Sequence, residues 1–174
     1  MSADPAAELV DILDADGGPV GVATRGEMRR RRLPHRAVYV LVFNGRGELF
    51  IHQRTATKDI WPSHWDVAVG GVPAAGESFD DAARREAAEE LGVQVEPVPL
   101  FPLHYSDAAS IVFGMVYRAV HDGPFRLQPE EIVAGEFVSL AEVKSRSEHS
   151  PFCPDGLKVL ERFLKHSPPL AAES

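Results

Sequence analysis

Apolar residues in this chain fall mostly in short runs at strand spacing, broken by one longer, acidic stretch at helical spacing. Two runs, LVDIL and VGVAT, flank D-A-D-G-G-P, so Glu8 to Thr24 reads as a β-hairpin turning at Gly17-Gly18. Arg25 to Leu33 is strongly basic and reads as a short helix, either a solvated surface helix or a phosphate-facing patch. Ala37 to Phe43 (AVYVLVF) is continuously apolar, as a buried strand requires. A turn at Asn44-Gly45-Arg46-Gly47 returns the chain as Glu48 to Arg54, completing a second hairpin. A loop through Trp61-Pro62-Ser63-His64-Trp65 follows, then a short strand from Asp66 to Val69 that ends at Gly70-Gly71. Further strands are expected at Pro99 to Tyr105, Ser110 to Val120 and Phe137 to Leu140, the last leading into a helix at Ala141. Gly156 to Lys165 carries apolar residues at helical spacing and should pack as a terminal helix, with Ser167 to Ser174 as a tail. With hairpins and a few helices, no repeats and no linker, residues 1–174 read as one α/β domain on a mixed sheet.

The acidic helix is marked at both ends. Ser78 is a suitable N-cap with Asp81 three residues on, and Gly92 can take the left-handed conformation that terminates a helix. Between them, Phe79 to Leu91 consists of good helix formers. Glu86, Glu89 and Glu90 stand at i, i+3 and i+4, on one arc of about 100°. Ala83, Ala87 and Leu91 occupy the adjacent arc and should face the sheet, holding the carboxylates at the edge of the core. Like charges so placed cost ~0.2–0.5 kcal/mol per pair in an exposed helix. A hard divalent cation removes that repulsion and favours oxygen ligands. Gly70-Gly71 lets backbone carbonyls approach such an ion, and Arg85 is placed to pair with Glu77. Taken alone, the carboxylates equally suit a solvated, Glu-rich surface helix.

Composition limits the partners. The net charge of −8 disfavours nucleic-acid polymers and anionic membranes, so an anionic substrate needs local help from a cation or arginines. The single cysteine, Cys153, cannot form an internal disulfide. The acidic N-terminus lacks the pattern of a secretory signal, no apolar stretch approaches the roughly 20 residues of a membrane span, and the cytoplasm is the expected location.

The spacing then decides between the two helix readings. Gly71, five residues, Glu77, seven residues, and Arg85-Glu86-Ala87-Ala88-Glu89-Glu90-Leu91-Gly92-Val93 resembles the Nudix box, G-x5-E-x7-R-E-U-x-E-E-x-G-U with U apolar. All seven fixed residues across the 23 positions match, with Ala87 a small choice for its U position. The resemblance implies the Nudix fold, an α/β/α sandwich around a mixed β-sheet, and Mg²⁺-dependent hydrolysis (Mn²⁺ being the alternative ion) of a diphosphate linkage in a nucleoside-diphosphate-type small molecule. It implies Glu86, Glu89, Glu90 and the Gly70 carbonyl as metal ligands. Glu86 would also orient or deprotonate water, with Gly71, Glu77, Arg85 and Gly92 structural. A general base on a later loop is expected at Glu131 or Glu136, whose plain alternative is surface charge.

A wider span, roughly Leu9 to Val143, is similar to the isopentenyl-diphosphate isomerase branch of that superfamily. The departures matter. Gly70 stands where the isomerase has its catalytic cysteine, Val72 where it has a metal-binding histidine, and Ser110 and Val112 where its glutamate pair falls. His35 matches one metal histidine but cannot build that site alone. The expectation is therefore a hydrolase of the isomerase-like subgroup. An isomerase, or a ligand sensor that kept the fold and lost turnover, is the alternative.

Other residues admit two readings each. Arg54 and Lys58 lie near the expected pocket, as phosphate ligands or surface ion pairs. Trp61 and Trp65 are packing residues or a stacking surface. His35, His64 and His104 are ordinary hydrogen-bonded histidines or ligands. Selectivity is expected in the loops Lys58–His64 and Tyr105–Ala109, and a homodimer is compatible with the sequence.

Overall fold

The computed structural model describes residues 3–166; the expected tail lies outside them. A 3-10 turn, Pro5–Ala7, precedes the hairpin of β1 (Leu9–Leu13) and β2 (Pro19–Thr24). Helix α1 (Arg25–Arg31) leads into β3 (His35–Phe43) and β4 (Leu49–Arg54). After a loop come the short strands β5 (Trp65–Asp66) and β6 (Val69–Gly71), then α2 (Phe79–Leu91). Strands β7 (Val98–Ser106), β8 (Ile111–Val120) and β9 (Ile132–Val138) precede α3 (Leu140–Ser147) and α4 (Pro154–His166).

The central strand β3 explains why the sheet is mixed. It runs parallel to β8 along its whole length, His35 opposite Val112 through Phe43 opposite Val120. Against β1, β4 and β6 it runs antiparallel. On the far side of β4 lie β9 and β5, and β7 extends the sheet beyond β8. Its unbroken apolar sequence follows from burial on both faces. Tyr39, Leu41 and Phe43 pack with Val143 of α3 and with Val159 and Phe163 of α4. Val38, Val40 and Val42 pack instead with Ala82, Ala83, Ala87 and Leu91 of α2. The result is the expected α/β/α sandwich. The alanines on the inner face of α2 bring that helix close to the sheet, and with it the glutamates one arc away.

Three expected elements differ in extent. The Asp66–Val69 strand is split, because Asp66 Oδ1 accepts the amide hydrogens of Val67 (2.8 Å) and Ala68 (3.4 Å) and diverts them from the ladder. Strand β9 starts at Ile132, five residues before the expected Phe137; its half-exposed sequence lacks the apolar run that marks a buried strand. Helix α4 begins at Pro154, a residue suited to a first helical position. Among the described residues, no helix is long and apolar enough to cross a membrane.

Candidate active site

One wall of a cleft is built by α2 and the β6 glycines. The Ser78 hydroxyl accepts from the Asp81 amide at 3.1 Å, and Gly92 caps the other end at φ 67°. Glu86 and Glu90 are buried, and the Glu89 side chain is half-exposed. Gly71 permits the close approach of Glu86: a Cβ there would lie 2.5 Å from Glu86 Oε1. The Gly70 amide lies 3.4 Å from Glu90 Oε2, so both buried carboxylates converge on the glycine pair. Arg85 holds the loop to the helix. Its Nε and Nη2 each donate to Glu77 at 2.9 Å, and its Nη1 donates to Glu86 (3.1 Å) and Glu89 (3.2 Å).

Burial, with Glu89 adding to it, pushes the Glu86 carboxyl up to about 7 against the pull of Arg85. Burial and the proximity of Glu86 likewise raise Glu90. Both desolvated carboxyls are thus short of positive charge: Glu86 shares Arg85 with Glu77 and Glu89, and Glu90 feels Lys58 and Arg54 only at Coulombic range. Among the described residues no three His, Cys, Asp or Glu side chains are already gathered tightly enough to hold an ion, and Arg85 stands between Glu86 and Glu89. The chemistry of the donors nevertheless suits Mg²⁺ or Mn²⁺: Glu86, Glu89, Glu90 and the Gly70 carbonyl are all oxygen, the preference of hard divalent ions.

The opposite wall is cationic. Arg25 and Arg29, one helical turn apart on α1, direct largely buried side chains into the cleft, and each Nε donates to Asp59 Oδ2 at 3.1 Å. The surface-helix reading of this segment therefore fails for Arg25 and Arg29. It holds for Arg31, 63% exposed and paired with Glu27. Arg54 donates from Nη2 to the Ile60 carbonyl at 2.9 Å, while its buried Nε has no partner among the described residues. Lys58 is bonded to Glu131. His52 lies in the same cleft with Nδ1 buried and unpartnered, and burial, then Arg54 and Lys58, press its pKa down to about 3. Burial and the neighbouring Arg29 and Arg25 lower His35 to about 4. The Leu33 carbonyl can only accept, so His35 Nδ1–H donates to it at 2.9 Å, leaving Nε2 to face Arg29 Nη1 at 3.5 Å. Both imidazoles are neutral near pH 7. His35 is thus tied to structure rather than set out as a ligand.

Between the walls lie Tyr39, Asp66, Cys153 and Asp155. The Tyr39 hydroxyl donates to Asp155 Oδ2 at 2.9 Å. Burial and then Asp155 raise Asp66 to about 7. Burial and Asp66 raise the Cys153 thiol, so it stays protonated and has no nucleophilic character. Sequence reasoning missed Tyr39, His52, Asp66 and Asp155. Each sits inside or at the end of an apolar strand or helix, where nothing local separates a cleft residue from a core one.

The remaining candidates divide. Glu131 reaches the cleft edge through Lys58 and lies within Coulombic range of Glu90. Glu136 does not: it sits in β9 opposite Ile51, half-exposed, with Arg146 at 2.7 Å, so the later-loop placement expected for it is corrected. Trp61 lines the cleft, whereas Trp65 packs into the α3–α4 core. His104 stacks on Phe113 at 4.3 Å and His64 Nδ1–H donates to the Pro62 carbonyl, both ordinary roles. The two expected selectivity loops meet here, contributing Lys58, Ile60 and Trp61 on one side and Tyr105 on the other.

The NUDIX domain family model matches residues 33–163. An uncharacterized Nudix hydrolase of Streptomyces coelicolor is 42% identical over 159 residues, covering 90% of this chain and 88% of that protein. The Escherichia coli Nudix hydrolase YfcD is 35% identical over 161 residues, covering 92% and 88%. Among solved structures, the DR0079 protein of Deinococcus radiodurans superposes with a TM-score of 0.78 at 28% identity, covering 89% of this chain and 98% of that one. The box at Gly71–Val93 falls inside the matched span and contributes Gly71, Val72 and Glu90 to the cleft. The chain belongs to the Nudix hydrolase family.

Proposed function

We propose that this chain is a Mg²⁺- or Mn²⁺-dependent hydrolase of a diphosphate linkage in a small, nucleoside-diphosphate-type molecule. The observation that carries the reading is that buried Glu90 lines the cleft opposite Arg25, Arg29, Arg54 and Lys58, with buried Glu86 repelling it from behind Gly71 and within Coulombic range of Arg25. An anionic diphosphate needs the second wall, and its neutralising ion needs the first. Glu86, Glu89, Glu90 and the Gly70 carbonyl would hold the ion, which supplies charge neutralisation at the phosphate oxygens and a bound water of lowered pKa.

The chain's own residues supply position and charge. Arg54 brings an unspent buried N–H, so a phosphate oxygen there satisfies a donor that is otherwise costly to bury, by ~1–3 kcal/mol. Lys58 neutralises a second oxygen as it exchanges Glu131 for substrate. Glu131, released beside Glu90, is the group at the cleft edge that can take the proton from the attacking water. Arg85 and Glu77 hold the glycine loop against α2 and touch no substrate.

The isomerase reading is disfavoured by space as well as by sequence. A Cβ at Gly70 would overlap the Val38 carbonyl, so the catalytic cysteine of that branch cannot be accommodated there without moving β3. Incubation with Mg²⁺ and nucleotide sugars, ADP-ribose, NADH, nucleoside diphosphates, CoA and isopentenyl diphosphate tests the proposal. Metal-dependent release of phosphate-containing products supports it. Dimethylallyl diphosphate would indicate an isomerase, and saturable binding without products a sensor.

A further inference from the structure

We propose that Arg25, Arg29 and Asp59 form a site for a terminal phosphate group, so that the preferred substrates are diphosphate monoesters, R–O–PO₂–O–PO₃, rather than diphosphate diesters. The cleavage part of this inference rests on the hydrolase reading above; the anion site does not.

The geometry is unusual in its economy of counter-charge. Two guanidinium groups converge on a single carboxylate oxygen, each Nε 3.1 Å from Asp59 Oδ2. Their side chains are only 16% and 18% exposed. Glu8, the other acid in contact with Arg25, is 4.0 Å away and 54% exposed, where solvent screens it. The third neighbour, His35, is neutral and faces Arg29 with Nε2. Two positive charges thus meet one closely bound negative charge.

A terminal phosphoryl carries ~2 negative charges near pH 7 and three acceptor oxygens. It matches two guanidinium forks better than a carboxylate, or than a bridging phosphodiester with its single charge. Asp59 is then the stand-in for that phosphate. It occupies the point on which both guanidinium Nε groups converge, and it sits on the loop between β4 and β5. Arg25 also lies within Coulombic range of Glu86, which puts this anion site beside the box. A terminal phosphate held by Arg25 and Arg29 leaves the adjoining phosphorus toward Glu86. The reaction is then attack of water on one phosphorus: a new O–P bond forms, the bridging P–O bond breaks, and R-phosphate and inorganic phosphate leave, the water proton passing to the departing phosphate.

ADP and ADP-ribose make the sharpest pair, because they share adenosine and a diphosphate and differ in whether the terminal phosphate is esterified. With Mg²⁺, kcat/KM for ADP is expected to exceed that for ADP-ribose by at least 10-fold. Arg29→Gln should lower the ADP value at least 10-fold through KM and lower the ADP-ribose value at least 3-fold less than that, with Arg29→Lys intermediate. Asp59→Asn should lower the KM for ADP, whereas a purely structural latch would raise it for both. Equal or reversed preference, or a uniform effect of Arg29→Gln, overturns the assignment. Binding of inorganic pyrophosphate in EDTA, followed by calorimetry, separates the two proposals. Affinity weakened at least 10-fold by Arg29→Gln retains the anion site even if no nucleotide is turned over, in which case the hydrolase reading fails. Pyrophosphate binding that is absent or indifferent to Arg29 removes the site, whatever the turnover.

Discussion

Along the cleft, the acidic wall comes from 23 consecutive residues, whereas the basic wall is gathered from α1, β4 and the loop before β5. The first is a local device. Helical spacing, a cap at each end and a glycine pair are enough to line up Glu86, Glu89 and Glu90. The second exists only after folding, when α1 and the Lys58–Trp61 loop close over the same face of the sheet. The walls differ in energetics too. The acids are buried with too little positive charge, and burial and neighbouring glutamates raise both Glu86 and Glu90. Three of the four bases are largely buried with acidic partners already in place, Asp59 for Arg25 and Arg29 and Glu131 for Lys58, while Arg54 keeps one buried N–H unpartnered among the described residues. One wall waits for a cation, and the other holds internal anions where a substrate anion would sit.

The strongest way to break this contrast is to neutralise the acidic wall. Glu86→Gln and Glu90→Gln should each reduce turnover by about 10²-fold or more, in line with the loss of a group acting at the reacting centre. Circular dichroism should show a retained fold, since an amide is easier to bury than a carboxylate. Wild-type turnover in purified Glu86→Gln would remove the role assigned to that residue. On the basic wall the loss should be smaller and of a different kind. Arg54→Gln removes one charge among four, so KM should rise about 10-fold with kcat changed much less. A fall confined to kcat would place Arg54 at the reacting phosphorus instead.

This contrast also explains what could be read from the chain. The fold was legible wherever a pattern is local: β3 as an apolar run, α2 from its caps, and the β1–β2 hairpin from Gly17-Gly18. Strand β9 was legible only at its Phe137–Val138 end, because an edge strand with mixed exposure has no distinctive period. In the site, the box was complete in the sequence. Arg25 and Arg29 could be seen only as part of a basic run, since i, i+4 spacing does not reveal that loop residue Asp59 draws both inward. His52 and Asp66 gave no local sign, because their proximity arises from β4–β5 pairing.

A pH test sharpens the acidic side. In metal-free buffer the folded Glu86 carboxyl sits at about 7, above the ordinary value of 4.5 expected in the unfolded chain. Below both values the carboxyl is protonated in either state, and its full contribution to stability is present. As pH rises from 4.5 to 7 the unfolded chain releases its proton first, and that contribution is lost, by up to ~3 kcal/mol. Urea denaturation across this window should therefore show wild type losing stability relative to Glu86→Gln as pH rises. The histidines oppose this trend in wild type and variant alike: His35 and His52, depressed when folded, lose stability as pH falls below 6.5. The difference between the two proteins is thus the cleaner measurement. An identical slope would show that Glu86 titrates normally and that the acidic wall is not strained.

The smallest effect is expected at Glu136, and it tests the boundary of the site. Glu131 and Glu136 are five residues apart and equally acidic in sequence, yet they stand in different surroundings. Glu131 is joined to Lys58 at the cleft, within reach of Glu90. Glu136 is half-exposed and held by Arg146, which it shares with Glu142. An exposed ion pair of this kind is worth ~0–1 kcal/mol. Glu136→Gln should leave turnover within about 2-fold and stability within about 0.5 kcal/mol, while Glu131→Gln should slow turnover with little change in stability. The reverse ranking in steady-state assays would mean that β9 contributes its carboxylate to the chemistry, and that the cleft extends past the Lys58–Glu131 pair.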